Sequence, residues 1–115
     1  MGWTHWKLLA NQESWYSNEI KYQGPACYEL GIRGKWKQYV IPVYVGNTDN
    51  LFRRMDQYGR NGSHLRKLLL KYRNHDYALY FRYSPHRMKS AAQKEEKDLL
   101  LKFGLERYPW NTQLG

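Results

Sequence analysis

A small α/β domain, with a three-stranded antiparallel sheet covered by helices, is the fold class the sequence predicts. Apolar residues follow a strand period of two over residues 25–32, 39–45 and 77–83. They follow a helical period over 49–58, 65–72 and 88–103. That order is ββααβα. The chain has 115 residues and 42% hydrophobic residues, enough for one domain with a small core.

Residues 1–23 carry Trp3, Trp6, Trp15, Tyr16 and Tyr22 and are expected to form an aromatic arm or short helix packed on the domain that follows, residues 24–115. The first strand runs from Pro25 to Ile32, and Gly31, Arg33, Gly34 and Lys35 suit the turn after it. Tyr39 to Val45 form the second strand, hairpin-paired to the first. Pro42 inside that run marks an edge position or a bulge. Gly46 stands where the backbone needs freedom or another group approaches closely.

Asn47, Thr48, Asp49 and Asn50 bring cap chemistry to the first helix, Asp49 to Tyr58. Leu51, Met55 and Tyr58 form its stripe. Ser63 is a candidate cap for the second helix, Leu65 to Tyr72, with Leu65, Leu68, Leu69 and Tyr72 on one face. In the third strand, Tyr77, Leu79, Phe81 and Tyr83 share a face, with Ala78, Tyr80 and Arg82 on the other. Met88 to Phe103 form the third helix, with Met88, Ala92, Leu99 and Phe103 as the expected stripe and Gly104 as C-cap.

Charge narrows the partners. The formal net charge is +9, which favours a polyanion. It is unevenly placed: residues 51–75 hold seven cations against Asp56 alone, a net +6. Arg53, Arg54, Arg60, Arg66, Lys67 and Lys71 belong to this segment, with His64 in its loop. No apolar run approaches the ~20 residues of a membrane-spanning helix. No signal peptide is visible and the one cysteine cannot form an internal disulfide, so an intracellular, reducing compartment is expected.

The two adjacent arginines face different ways. At about 100° per residue, Arg54 borders the Leu51 stripe and Arg53 points to solvent. A guanidinium held at the edge of a packed stripe offers a fixed fork to a phosphate.

Tyr44-Val45-Gly46, with Arg54 eight residues after the glycine, resembles the second half of the signature of the GIY-YIG nuclease family. Ala26-Cys27-Tyr28 resembles the first half, with Ala26 where the family usually has Gly and Cys27 where it has Ile or Val. The resemblance runs over about residues 24–111 and extends to a glutamate on the third helix and to Asn111. Glu95 and Glu96 flank the helix stripe about equally, so the helical wheel does not choose between them. The family pattern, an apolar pair at +3 and +4 and an Asn fifteen residues on, chooses Glu96, followed by Leu99, Leu100 and Asn111.

This resemblance implies a metal-dependent endonuclease that hydrolyses DNA phosphodiester bonds and leaves 5′-phosphate and 3′-hydroxyl ends. Tyr28, Tyr44, Arg54, Tyr58 and Glu96 would be the catalytic set, with Tyr44 as candidate base and Tyr28 as a positioning hydroxyl. Glu96 would hold Mg²⁺ or Mn²⁺ with water and phosphate completing the shell. Tyr58 stands where some family members have His. Gly46, Arg53, Arg60, His64, Arg66, Lys67, Lys71 and Asn111 would serve substrate binding, Asn111 alternatively fixing the terminal turn. With no separate recognition domain, specificity would need loops, dimerisation or a partner. A nucleic-acid-binding module without activity is the alternative on the same fold.

Overall fold

In β2 (Ala26–Arg33) nearly every residue is buried, so both faces of the strand are covered. The computed structural model describes residues 2–60 and 65–114. Ser63 and His64 therefore lie outside the described residues. Around β2 the chain builds a four-stranded antiparallel sheet in the order β1-β4-β2-β3, with β1 at Lys7–Ala10, β3 at Ile41–Thr48 and β4 at Ala78–Pro85.

The sheet has one strand more than the three expected. The extra strand comes from the N-terminal segment, expected to be an arm or helix, which pairs along β4 with Lys7 opposite Phe81. Its local sequence is a poor strand former; pairing with an open sheet edge overrides that preference.

The helices are α1 (Leu51–Gly59), α2 (Arg66–Asn74) and α3 (Lys89–Arg107). α1 and α2 cover one face of the sheet. There Leu51, Met55, Tyr58, Leu65 and Leu69 pack with Tyr28, Leu30, Leu79 and Phe81. The α1 cap is Asn50, whose side-chain oxygen accepts from Arg53 N–H at 3.0 Å.

α3 lies on the opposite face, over Cys27 and Val45, with Leu99 and Leu100 packed against them. Its inner stripe departs from the expected one. Ala92 is buried, whereas Met88 and Phe103 are exposed. Met88 is the extended residue that precedes the helix. Gly104, with φ 64°, breaks the helix near its end, so a helical wheel does not run on through Phe103.

The hairpin of β2 and β3 positions the site. A bulge falls on β3 beside Pro42: Gly31 pairs with Pro42 but Leu30 pairs with Tyr44. The extra residue resets the alternation, so Tyr44 and Gly46 share the α1 face with Tyr28 and Leu30. β3 is also the sheet edge, and both properties suit Pro42.

Candidate active site

Three tyrosines meet under α1. Tyr28 Oη and Tyr58 Oη lie 2.6 Å apart and share a buried hydrogen bond. The Tyr44 ring lies 6.2 Å from that of Tyr28, centroid to centroid. Gly46 makes this packing possible. A Cβ there would stand 2.7 Å from Tyr28 Oη and 2.9 Å from Tyr44 Cε2. A side chain at 46 would therefore displace both rings, a close approach that only glycine permits.

Burial sets the electrostatics. It raises the Tyr28 phenol well above its ordinary value, with Tyr58 and Tyr44 adding to the effect and Arg54 opposing it. The Tyr58 phenol is raised chiefly by burial as well. For Tyr44, burial raises the phenol first and the Glu96 charge second, while Arg54 and the Tyr28 hydroxyl pull it down. Arg54 and Glu96 thus act on Tyr44 with opposite signs.

Arg54 is half-buried, with no carboxylate partner among the described residues. Its Nε is buried and finds no hydrogen-bond partner among them. Leaving such a donor unmet costs on the order of 1–3 kcal/mol, more when it is charged. The other such atom is the Ser84 hydroxyl, which carries no charge.

Glu96 approaches from α3. Asn47 Nδ2, on β3, donates to Glu96 Oε1. Burial raises the Glu96 carboxyl above the usual range and the Asn47 hydrogen bond opposes that shift. Glu95 turns to the other flank, where His86 Nε2 and Glu95 Oε1 lie 2.6 Å apart. The structure therefore brings Tyr28, Tyr44, Tyr58, Arg54 and Glu96 together around the β2–β3 edge. Asn47 belongs with them. The sequence offers it as one of four cap residues; its place opposite Cys27, on the α3 face, is what carries it to Glu96.

The candidate substrate-binding residues are more dispersed. Arg53 is exposed and paired with Asp49. Arg60 Nε donates to Asp56 Oδ2 at 2.8 Å. Both are ordinary surface pairs one helical turn apart, worth little to stability. Arg66 serves the packing of the helices. Its Nη1 donates to the carbonyls of Tyr58 and Arg60 at 3.2 and 3.1 Å, tying α2 to the end of α1. Lys67 and Lys71 point away from the core on α2.

Asn111 grips the open edge of β3. Val45 N–H donates to its Oδ1 at 3.1 Å, and its Nδ2 donates to Val45 O at 3.0 Å. Its amide thus takes the place of a neighbouring strand's peptide group and fixes the terminal turn.

No group of three His, Cys, Asp or Glu side chains able to hold a metal ion occurs among the described residues. One carboxylate beside a side-chain amide still fits a hard divalent cation that keeps most of its shell as water and phosphate oxygen. No helix among the described residues is long and apolar enough to cross a membrane.

Two strand tyrosines, an arginine on α1 with an unmet donor and a carboxylate on α3 thus lie near one another, a combination of groups suited to a charged, oxygen-rich ligand. Residues 17–115 match the family model described as GIY-YIG domain-containing protein. The chain belongs to the GIY-YIG domain family, a family of nucleases. No curated protein and no solved structure matches the chain at a significant level. β1 precedes the matched residues.

Proposed function

We propose that the protein is a metal-dependent endonuclease that hydrolyses DNA phosphodiester bonds at this site. The observation that carries the reading is Arg54: a buried donor without a partner among the described residues, close enough to Tyr44 to act on its phenol, as Glu96 is from the other side. A phosphoryl oxygen would satisfy it, and the charge that grows on that oxygen in the transition state would strengthen the bond.

The Glu96 carboxylate, oriented by Asn47, would hold Mg²⁺ or Mn²⁺, whose chemistry there is neutralisation of charge on the phosphate and leaving oxygen. Tyr44 Oη would accept the proton of the attacking water. Burial and Glu96 keep this phenol protonated in the free protein. It can become a base only when positive charge outweighs both effects. Tyr28, locked to Tyr58 at its hydroxyl, holds the ring packing that positions Tyr44. The +9 formal charge supports DNA as the polyanion.

A nicking assay over duplex, branched and single-stranded DNA, with and without Mg²⁺, tests the proposal. Cleavage should require the metal and should vanish in Glu96→Gln, which removes a ligand charge at nearly constant shape. Glu95→Gln, which loses only the His86 contact, should cleave nearly as well as the wild type. Metal-independent cleavage, or full activity in Glu96→Gln, would overturn the assignment. DNA binding without cleavage under any metal would favour the binding module instead.

A further inference from the structure

The β2–β3 hairpin carries a second feature, at the end away from the tyrosine cluster. Its tip, residues 34–40, joins Arg33 to Ile41. Trp36 is 90% exposed, Tyr39 79% and Ile41 59%. Large apolar side chains seldom stand so free in a cluster, and such clusters mark interaction sites. Lys35 and Lys37 flank the tryptophan, and no acidic residue occurs between Glu29 and Asp49. The tip is therefore aromatic and, in its own residues, basic; Glu13 and Asp76 line a recess beside Lys35 at its base.

The backbone at the tip is unusual. Lys37 N–H donates to Gly34 O at 3.1 Å, closing a turn. Trp36 holds the third position of that turn with φ 70°. That conformation favours glycine and strains a bulky residue. The chain places a tryptophan there and projects it into solvent, with Lys35 Nζ 5.7 Å from the ring centroid.

We infer that this tip is a second nucleic-acid contact: Trp36 stacks on an unpaired base and Lys35 and Lys37 take the flanking phosphates. The inference rests on DNA being the ligand of the site described above, and it deepens that reading by naming a substrate class: DNA with an unpaired segment. Aromatic faces with lysines around them are how single-stranded nucleic acid is held without sequence preference. A lipid interface also attracts Trp, Tyr and Lys. The net charge and the two strands shared with the tyrosine site favour nucleic acid.

The geometry also sets a spacing. Tyr44, the proposed base, pairs with Leu30, three residues along β2 from Arg33. At about 3.3 Å per residue that is roughly 10 Å, or about three nucleotide steps at ~3.4 Å each. The unpaired segment should therefore lie at least about three nucleotides from the bond that is cut.

Binding in the absence of divalent metal tests the contact apart from catalysis. The probes are a plain duplex, the same duplex with a single-stranded gap, and anionic phosphatidylserine vesicles. Trp36→Gly suits the positive φ and should fold at least as well as the wild type. It should lose the preference for gapped over plain duplex by roughly tenfold, the scale of one lost base stack. Trp36→Phe should keep most of that preference. The Lys35→Ala/Lys37→Ala pair should weaken binding to both DNAs and lower the salt slope by about two. Unchanged gapped-DNA binding in Trp36→Gly overturns the inference, as does Trp36-dependent binding to vesicles without such binding to DNA. If the wild type binds gapped DNA through Trp36 yet never cleaves, the nuclease reading falls and the contact stands.

Discussion

The two faces of the sheet treat buried charge in opposite ways. On the α3 face Glu29, 1% exposed, is surrounded by donors. Arg82 Nε donates to its Oε1 at 2.6 Å, and Arg107 Nη2 reaches Oε2 at 3.4 Å. The Tyr108 hydroxyl donates to Oε2 as well. Arg82 is sandwiched further, 4.4 Å from the centroid of the Trp6 ring. On the α1 face Arg54 has a buried Nε with no partner among the described residues. A buried ion that is fully met holds elements together; here it joins β2, β4 and the end of α3. One left unmet keeps its bonding capacity for something that binds. The difference lies in satisfaction rather than in burial, and it is the ground on which Glu29 is assigned a structural role and Arg54 is proposed as a functional one.

Among substitutions that probe this contrast, Arg54 should show the largest effect. Arg54→Ala should slow single-turnover cleavage on the order of 10²–10³-fold, roughly 3–4 kcal/mol. Arg54→Lys should not restore it, because lysine keeps the charge and loses the planar fork. Thermal stability of both variants should stay close to wild type, since no bond seen in the free protein is lost. Arg53→Ala, which removes only an exposed pair, should leave turnover near wild type. If both alanine variants were equally slow at saturating enzyme, the distinction between the two arginines would be lost.

Glu29→Ala should behave the other way round. It strands two guanidiniums and a phenol against a hole, which should cost about 3 kcal/mol of stability in urea unfolding. The rate per folded molecule should change little. A Glu29 variant that stays stable but loses activity would reverse the roles assigned to the two faces.

Gly46→Ala falls between the two, because its Cβ would press on the Tyr28 hydroxyl and the Tyr44 ring at once. Overpacking of this kind costs roughly 1–3 kcal/mol. Stability and rate should drop together, and a drop in only one of them would show that the ring packing and the chemistry are separable.

How much of this is legible in the sequence follows the range of the interactions. The α1 and α2 stripes, the β4 alternation and the edge-or-bulge reading of Pro42 are local patterns, and all of them appear in the structure. β1 is not legible. Lys7-Leu8-Leu9-Ala10 lacks β-branched residues and becomes a strand only because β4 offers an open edge. The Glu29 cluster is equally hidden, since its partners lie 53 and 78 residues away. On α3 the wheel alone leaves Glu95 and Glu96 equivalent. The structure separates them by what faces each: His86 after β4 for Glu95, and Asn47 on β3 for Glu96. Asn47 escapes a sequence reading because a run of four cap-forming residues conceals which of them belongs to the strand.

Asn47 gives the smallest and most discriminating test. Its amide donates to Glu96 and favours the ionised carboxylate, against burial, which favours the neutral form. Glu96 must be ionised to hold a cation, so activity should fall as pH drops through its pKa. Burial places that fall above the ordinary carboxylate range. Removing the hydrogen bond raises the pKa further. In Asn47→Ala the acid limb of kcat/KM should therefore move to higher pH, and more Mg²⁺ should be needed for half-maximal rate. Well above the limb, at saturating metal, the rate should return toward wild type. Asn47→Asp sets a like charge beside Glu96 and should push the limb up further still. A purely structural asparagine would lower the rate equally at every pH, and an unshifted acid limb in Asn47→Ala would remove it from the site.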